Sequence, residues 1–341
     1  MGLISIDRFK SILANFETIE PLVVFGDIGL DKYTHGEVNR ISPEAPVPVL
    51  EVTKEWYKLG LAANVSDNLK SLGVKSTICS AIGDDVTGSK LESILEEKEF
   101  STWGLVRCKN RKTTIKERVT TFTQQICRVD YESKQSIESE LESKLEARFD
   151  DFVKDHSAII IEDYAKGLVS ERLVQYLVKS FGEKGKLIAV DPGRDRNPSL
   201  YKGATLLKPN RVEAEIMANH LGYPGTKDLN EISSILIDKL ELKKLIITLG
   251  KDGMALVDTE NGDGKLHIIP TAANEVFDVS GAGDTAVSAI VSSLVAGASL
   301  EEAAWIGNCA SGVVVAKHGT ATVNAQELLD FYSNLKSKLK Q

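Results

Sequence analysis

Short apolar runs recur along this chain with helical patterns between them, and that alternation limits the possible folds more than any other feature. The clearest runs are Leu22-Val-Val-Phe25, Ser76 to Ser80, Ala158-Ile-Ile-Ile161, Leu187-Ile-Ala-Val190, Thr205-Leu-Leu207 and Leu245-Ile-Ile-Thr-Leu249. Continuously apolar strands suit a sheet covered on both faces, so the pattern predicts an α/β fold with a mostly parallel central sheet flanked by helices. Successive runs end at Gly26-Asp27, Glu162-Asp163-Tyr164, Asp191-Pro192, Lys208-Pro-Asn210 and Gly250-Lys251-Asp252. Polar residues at the carboxyl ends of strands are what an open α/β sheet presents to a ligand. Each piece alone is ordinary turn vocabulary, but five in series favour a site.

One motif carries chemistry. Asp278-Val-Ser-Gly-Ala-Gly-Asp-Thr285 lies between an extended segment, Lys265 to Phe277, and a small-residue run, Ala286 to Gly297, that reads as a buried helix. Two glycines around one alanine let the backbone turn tightly, so the amides of Gly281, Ala282, Gly283 and Asp284 can converge as an anion cradle at a helix start. A carboxylate inside such a cradle is electrostatically odd unless it takes a proton while the amides hold the charge that develops. Phosphoryl transfer to a hydroxyl needs that pairing of base and donors. A plain strand-to-helix turn capped by Ser280 or Asp284 is the competing reading.

Two segments break the alternation. Tyr33 to Lys58 holds Pro43, Pro46 and Pro48 among alternating apolar residues, and Thr113 to Tyr131 is rich in Thr and Val with a period of two. Prolines confine a strand to an edge or a bulge, so these segments predict a small exposed sheet beside the main one. Over a crevice such a sheet is a lid; a hairpin insertion without function is the alternative.

The 341 residues read as a single α/β domain, 1–341, with the lid segments (about 33–58 and 113–131) inserted in it and no repeat or linker dividing it. A formal net charge of −8 argues against nucleic acid or an anionic membrane as the main partner. Any positive potential must therefore be concentrated locally. The four cysteines show no C-x-x-C spacing and the five histidines form no ligand pair, which suits reduced thiols in a cytosol. Residues Met1 to Phe16 alternate at helical spacing and carry Asp7 where a signal peptide would be apolar, and no apolar run reaches membrane-spanning length. A cytoplasmic location is expected.

With these residues in view, the chain resembles the ribokinase-like (PfkB family) carbohydrate kinases, whose carboxyl-terminal signature Asp278 to Thr285 matches almost letter for letter. The segments Gly26-Asp-Ile-Gly-Leu-Asp31, Arg40-Ile-Ser-Pro-Glu-Ala-Pro-Val-Pro-Val49, Asp163-Tyr-Ala-Lys-Gly167 and Gly203-Ala-Thr-Leu-Leu207 resemble one branch, the bacterial D-glycero-β-D-manno-heptose-7-phosphate kinases. The likeness spans about residue 20 to the Ala321-Thr-Val323 region. It implies ATP and Mg2+ as cofactors, a sugar phosphate as acceptor, phosphorylation of the anomeric hydroxyl, and a place in lipopolysaccharide core precursor synthesis. It also implies a homodimer formed through the lid. The length leaves no room for the nucleotidyltransferase domain that follows this kinase in some bacteria, so a separate enzyme is expected to take the next step.

Carried over position by position, Asp284 resembles the family's base, and the amides of Gly281, Ala282 and Gly283 would stabilise the phosphoryl group in flight. Asp31, helped by Asp27, Gly60 and Asn64, would bind sugar hydroxyls. Asn210 and Glu213 match the family's Asn-x-x-Glu, where the acid organises magnesium through water, with Lys208 just before them. Thr248 and Gly250 resemble the loop beside the nucleotide phosphates; Asn308 and the Lys317-His318-Gly319 region resemble the adenine pocket wall. A dianionic 7-phosphate needs fixed cations, and Arg40, Lys166 and Arg128 are the candidates, Arg40 foremost because it lies in the lid segment that distinguishes the branch. Surface ion pairing is the competing reading for each and the better one for Arg128.

One departure matters. The family shows a Gly-Gly pair in its sugar-binding turn, whereas this chain has Lys58-Leu-Gly-Leu-Ala-Ala-Asn64, with Leu61 at the second glycine. Positive φ there would cost a branched residue on the order of 1 kcal/mol. Another sugar, sugar phosphate or nucleoside as substrate, or a sugar-phosphate-binding protein with weak turnover, are the alternatives this leaves open.

Overall fold

The computed structural model describes residues 4–273, 276–317 and 319–338. The chain opens with α1 (Ile6–Ala14), which Ser5 caps by accepting a hydrogen bond from the Arg8 amide. It then runs through β1 (Leu22–Gly26) into a long hairpin of β2 (Ile28–Ile41) and β3 (Pro48–Leu61). It returns through α2 (Ala62–Ser71), β4 (Ser76–Gly83), α3 (Val86–Glu97) and β5 (Leu105–Cys108), and leaves again as β6 (Thr114–Thr120) and β7 (Gln125–Tyr131). Regular alternation follows in α4 (Ser139–Asp155), β8 (Ala158–Glu162), α5 (Glu171–Gly182), β9 (Leu187–Asp191), β10 (Leu206–Leu207), α6 (Arg211–His220), α7 (Leu229–Leu240) and β11 (Lys244–Thr248). The last part comprises β12 (Met254–Asp258), β13 (His267–Ile269), α8 (Ala282–Val295), α9 (Leu300–Val314) and α10 (Ala325–Lys338).

Among the described residues nine strands form the main sheet in the order β13-β12-β11-β10-β9-β8-β1-β4-β5. It is parallel except where β12 and β13 turn back at one edge. The side-chain period of two divides each central strand between two cores. Leu22 and Val24 of β1 join Ile160, Ile246 and the helices α1, α2, α3, α8, α9 and α10 on one face. Val23 and Phe25 join Ile161, Ile247 and α4, α5, α6 and α7 on the other. This explains why the six runs carry no polar alternation, and all six strands lie within a few residues of the expected bounds. Among the described residues of the Lys265 to Phe277 segment only three form a strand, and α8 begins four residues before Ala286, because the glycine motif supplies its own first turn.

The two irregular segments pair as a second sheet in the order β3-β2-β6-β7, with β2 and β6 parallel and the outer pairs antiparallel. Pro43 and Pro46 lie in the hairpin loop and Pro48 opens the edge strand β3, where a missing ladder N–H does no harm. Only Asp27 separates β1 from β2, and β3 runs straight into α2. The small sheet therefore rises from the carboxyl edge of the main one, as a lid must. Among the described residues no helix is long and apolar enough to cross a membrane.

Candidate active site

The amino-terminal end of α8 stands where three cavities meet. One of about 250 Å3 lies under the lid and is lined by Asp31, Gly60, Leu61, Asn64, Lys116, Arg118, Tyr164, Ser280, Gly281, Asp284 and Thr320. A second, of about 560 Å3, runs along the ends of β8, β9, β10 and β11 past Glu162, Asp191, Lys208, Asn210, Glu213, Gly283 and Asp284. The third, about 520 Å3, is a mostly apolar slot between Thr248, Gly250, Val279, Gly283, Ala286, Asn308 and Gly312. Asp284 faces both the lid cavity and the acidic cleft, and Gly283 both the cleft and the slot.

Gly281 precedes the helix with φ +78°, a left-handed conformation, and a Cβ there would sit 3.0 Å from Asn64 Nδ2. Both the turn and the close approach therefore require glycine. The Ala282 amide, expected in the anion cradle, instead donates to the Val279 carbonyl at 3.2 Å, closing the turn; Gly283 and Asp284, whose first-turn amides have no intrahelical acceptor, direct partial positive charge into the cavities. Asp284 Oδ2 accepts from Asn64 Nδ2 at 2.6 Å and Oδ1 from the Tyr164 hydroxyl at 2.8 Å. Burial pushes its carboxyl up to about 6, against the opposing pull of those two donors. At neutral pH it is an ionised base poised close to its titration point.

Each partner is itself held. Asn64 lies in the first turn of α2, where Asn68 Nδ2 donates to its carbonyl at 2.9 Å and Thr285 Oγ donates to Asn68 Oδ1 at 2.8 Å, joining α2 to α8. Tyr164 sits in the loop after β8, where Ala165 and Gly167 both have positive φ. Asp27 fixes this loop by accepting from the Lys166 amide at 3.2 Å, and the Arg111 guanidinium bridges Asp27, at 2.5 Å, to the Lys166 carbonyl, at 2.9 Å. Burial raises the Asp27 carboxyl to about 6 even though Arg111 favours its charge. Asp163 anchors the other side through Tyr201, 2.7 Å, and Arg196, 3.0 Å.

In the cleft, Lys208 and Asp191 form a 2.7 Å ion pair. Burial works against the Lys208 charge, but Asp191 and Glu162 more than offset it, so its pKa rises. Burial, with Asp191 and Asp284 adding to it, pushes Glu162 well above the usual carboxylate range, and its Oε1 has no hydrogen-bond partner among the described residues. Asn210 and Glu213 form a reciprocal capping box at the start of α6, and burial raises Glu213 as well. Asn210 also bridges to Thr248, which brings that strand end and Gly250 to the cleft. Asn308 holds the wall of the slot, accepting from the Ala272 amide and donating to the Pro270 carbonyl. His318 lies outside the described residues.

Asp31, Gly60, Asn64, Gly281, Ala282, Gly283, Asp284, Lys208, Asn210, Glu213, Thr248, Gly250 and Asn308 are thus brought to the three cavities, and Asp27 supports them from beneath. Arg40 is not: it is exposed, 3.9 Å from Glu51 near the far end of the lid. Lys166 is committed to Glu132 at 2.5 Å and Arg128 to Asp130 at 2.9 Å. Lys116 and Arg118 line the lid cavity instead, and Arg118 donates to Asp31 Oδ1 at 2.8 Å. Their period-two spacing in the Thr113 to Tyr131 segment was visible in the sequence, but the face they share was not. Leu61, buried, has φ +57° and ψ −141°, the backbone a glycine adopts freely.

The model of the pfkB family carbohydrate kinases matches residues 22–327. Bifunctional protein HldE of Citrifermentans bemidjiense is 42% identical over 324 residues, covering 94% of this chain and 64% of its own length. Bifunctional protein HldE of Helicobacter pylori is 38% identical over 310 residues, 91% of this chain and 66% of its own. The chain thus spans less than two thirds of these relatives. Phosphofructokinase-2 of Escherichia coli, in complex with potassium, superposes with a TM-score of 0.74 at 19% identity, covering 93% of this chain and 99% of that one. Arabidopsis thaliana ribokinase complexed with ribose and ATP gives 0.69 at 18% identity, over 92% and 99%. At such identities these two speak for the fold alone, which is ribokinase-like; taken with the match over residues 22–327, the chain belongs to the pfkB family of carbohydrate kinases.

Proposed function

We propose that this carbohydrate kinase, a phosphotransferase with an alcohol acceptor, transfers the γ-phosphoryl group of ATP to the anomeric hydroxyl of D-glycero-β-D-manno-heptose 7-phosphate, giving the 1,7-bisphosphate. The observation that carries the reading is Asp284, doubly hydrogen-bonded at the start of α8 and open both to the lid cavity and to the cleft. An acceptor sugar in the lid cavity, bound by Asp31 and Asn64, presents its hydroxyl to Asp284. The carboxylate takes the proton while the hydroxyl oxygen forms its bond to the γ-phosphorus and the bond to the ADP oxygen breaks. The Gly283 amide of the first turn, the Gly281 amide just before it and the Lys208 ammonium meet the charge on the phosphoryl oxygens. The apolar slot with Asn308 suits an adenine, and Thr248 and Gly250 flank the path of the phosphates. The heptose itself rests on the resemblance of the Arg40 to Val49 segment and of the Asp163 to Gly167 loop.

Oxygen donors along the cleft, namely Asp191, Asn210, Glu213 and Glu162, whose Oε1 has no hydrogen-bond partner among the described residues, fit magnesium. No three His, Cys, Asp or Glu side chains among the described residues gather closely enough to hold a metal by themselves, so the ion would be held through water and the nucleotide phosphates. When bound it would spread the charge of the β- and γ-phosphates. Residues 1–341 act as one catalytic domain in the cytoplasm, associating as a homodimer through the lid; exposed Ile41, Val47 and Val52 on the hairpin support that association. Light scattering that finds a monomer at working concentration would end the dimer.

The test is ATP consumption with magnesium against heptose 7-phosphate, sedoheptulose 7-phosphate, fructose 6-phosphate, fructose 1-phosphate, ribose and adenosine, with Asp284→Asn as the blank. Turnover of heptose 7-phosphate alone is expected. Turnover of another member reassigns the sugar, a result that Leu61 in the acceptor cavity would explain.

A further inference from the structure

We propose that Lys116, with Arg118 beside it, receives a phosphate group carried by the acceptor sugar, remote from the hydroxyl that reacts; the assignment rests on the sugar-phosphate kinase reading above. Positions 116 and 118 lie two apart on β6 and so project from one face of the lid, opposite Asp31 and Tyr33 of β2. Both side chains line the same cavity of about 250 Å3 as Asn64 and Asp284.

The charge balance singles out Lys116. Arg118 is matched by Asp31 at 2.8 Å, and the guanidinium lies over the Tyr33 ring, 5.4 Å from its centroid. Lys58, on the adjoining strand, donates to the Thr320 carbonyl at 2.6 Å and ties the lid to the loop after α9. Lys116 has only the Tyr164 ring beneath it, 5.7 Å to the centroid, and makes no ion pair among the described residues. Burial pulls its pKa below that of an ordinary lysine, with Asp31 acting in the opposite direction. A half-buried ammonium facing a cavity with no carboxylate in contact has lost hydration that nothing in the chain returns. A ligand phosphate supplies the missing counter-charge, and the Arg118 fork adds donors beside it.

The position of Lys116 separates this phosphate from the one transferred. Lys208 lines the cleft and Gly283 of the α8 turn lines both the cleft and the slot, whereas Lys116 lines neither. Arg40, Lys166 and Arg128 each face an acid of their own. Lys116 therefore discriminates between a phosphorylated and a neutral acceptor without touching ATP.

Steady-state kinetics of the full chain with ATP and magnesium, on heptose 7-phosphate and on the unphosphorylated heptose, test this in wild type, Lys116→Gln and Lys116→Arg. Lys116→Gln should lose roughly ten- to a hundredfold in kcat/KM on the phosphorylated sugar, mainly through KM, and stay within about twofold on the neutral one. Lys116→Arg should restore most of the loss. Equal losses on both sugars through kcat would put Lys116 at the transferred phosphoryl and overturn the assignment, as would no loss on either. If the neutral sugar turns over too slowly, calorimetric binding of heptose 7-phosphate replaces it: about tenfold weaker binding in Lys116→Gln supports the site, and unchanged binding overturns it. A wild type that converts the neutral sugar and refuses the phosphate defeats the substrate reading as well, and is recognised before any variant is made.

Discussion

Tyr164 and Asp284, 120 positions apart in the chain, meet at 2.8 Å, with the phenol donating to one carboxylate oxygen while Asn64 occupies the other at 2.6 Å. Two donors on one carboxylate set its rotamer and leave its remaining lone pairs to the cavities. The Tyr164 hydrogen bond also opposes the rise in the Asp284 pKa that burial causes. In Tyr164→Phe, the acid limb of the pH-rate profile should move to higher pH and kcat at neutral pH should fall by roughly three- to thirtyfold, with the KM for ATP unchanged. An unmoved limb would mean that the tyrosine only fills space.

Asp284 titrates at about 6, and a base works only when ionised. Activity should therefore rise as pH climbs through about 6 and level off above it. Asp284→Asn should remove that limb and lower kcat by about two orders of magnitude or more, while ATP affinity stays near its original value. Near-wild-type turnover in this variant would remove Asp284 from the mechanism.

The same shift has a stability consequence of definite sign. A carboxyl whose pKa rises from 3.8 to about 6 on folding binds its proton more tightly in the native state. Its stabilising contribution is complete below pH 3.8 and is lost as pH rises through about 6. Asp27, raised to about 6 as well, acts in the same direction. Urea unfolding of wild type and Asp284→Asn between pH 4 and 7 should show the wild type losing ground to the variant as pH rises; the reverse trend would contradict the shift.

Arg111 and Asp27 are both buried, and Arg111 also satisfies the Lys166 carbonyl. Arg111→Met leaves a carboxylate and a carbonyl buried without their partner, and should cost about 3–5 kcal/mol in chemical unfolding. The Tyr164 loop rests on the same contacts, so kcat should fall with stability. A loss below about 1 kcal/mol would show that Asp27 relaxes into its protonated form without penalty.

Leu61 holds φ +57° with ψ −141°, a region that only glycine occupies without strain. Leu61→Ala and Leu61→Gly both lose the buried side chain, but only the glycine relieves the backbone. Thermal unfolding should therefore find the glycine variant more stable than the alanine variant by about 1–3 kcal/mol. An alanine variant as stable or more so would remove the strain, and with it the reason to regard this position as a reshaped sugar turn.

Much of this molecule is written in local pattern. Runs apolar on both faces, polar groups at their carboxyl ends and the glycines around Ala282 depend on backbone stereochemistry and on residues within a turn of one another, so they can be read in order along the chain. The expectation of a lid from the proline-bearing and Thr-rich segments is of the same kind, since their period of two follows from strand geometry. Asp191 and Tyr164 were legible as strand-end residues, though not as partners of Lys208 and Asp284.

Tertiary structure alone decided which side chains share a space. Asn64 reaches Asp284 across 220 positions because α2 packs on α8, and Arg118 reaches Asp31 across 87 because β6 pairs with β2 in one particular register. A shift of one residue in that register would turn Lys116 and Arg118 out to solvent. Arg40, the cation most prominent in sequence, lies beyond the stretch of β2 that pairs with β6 and ends exposed beside Glu51, while Lys116 faces the cavity. Charge and hydrogen-bonding capacity are properties of a residue, and the sequence states them; burial and pairing, which set pKa and affinity, arise only when distant segments pack.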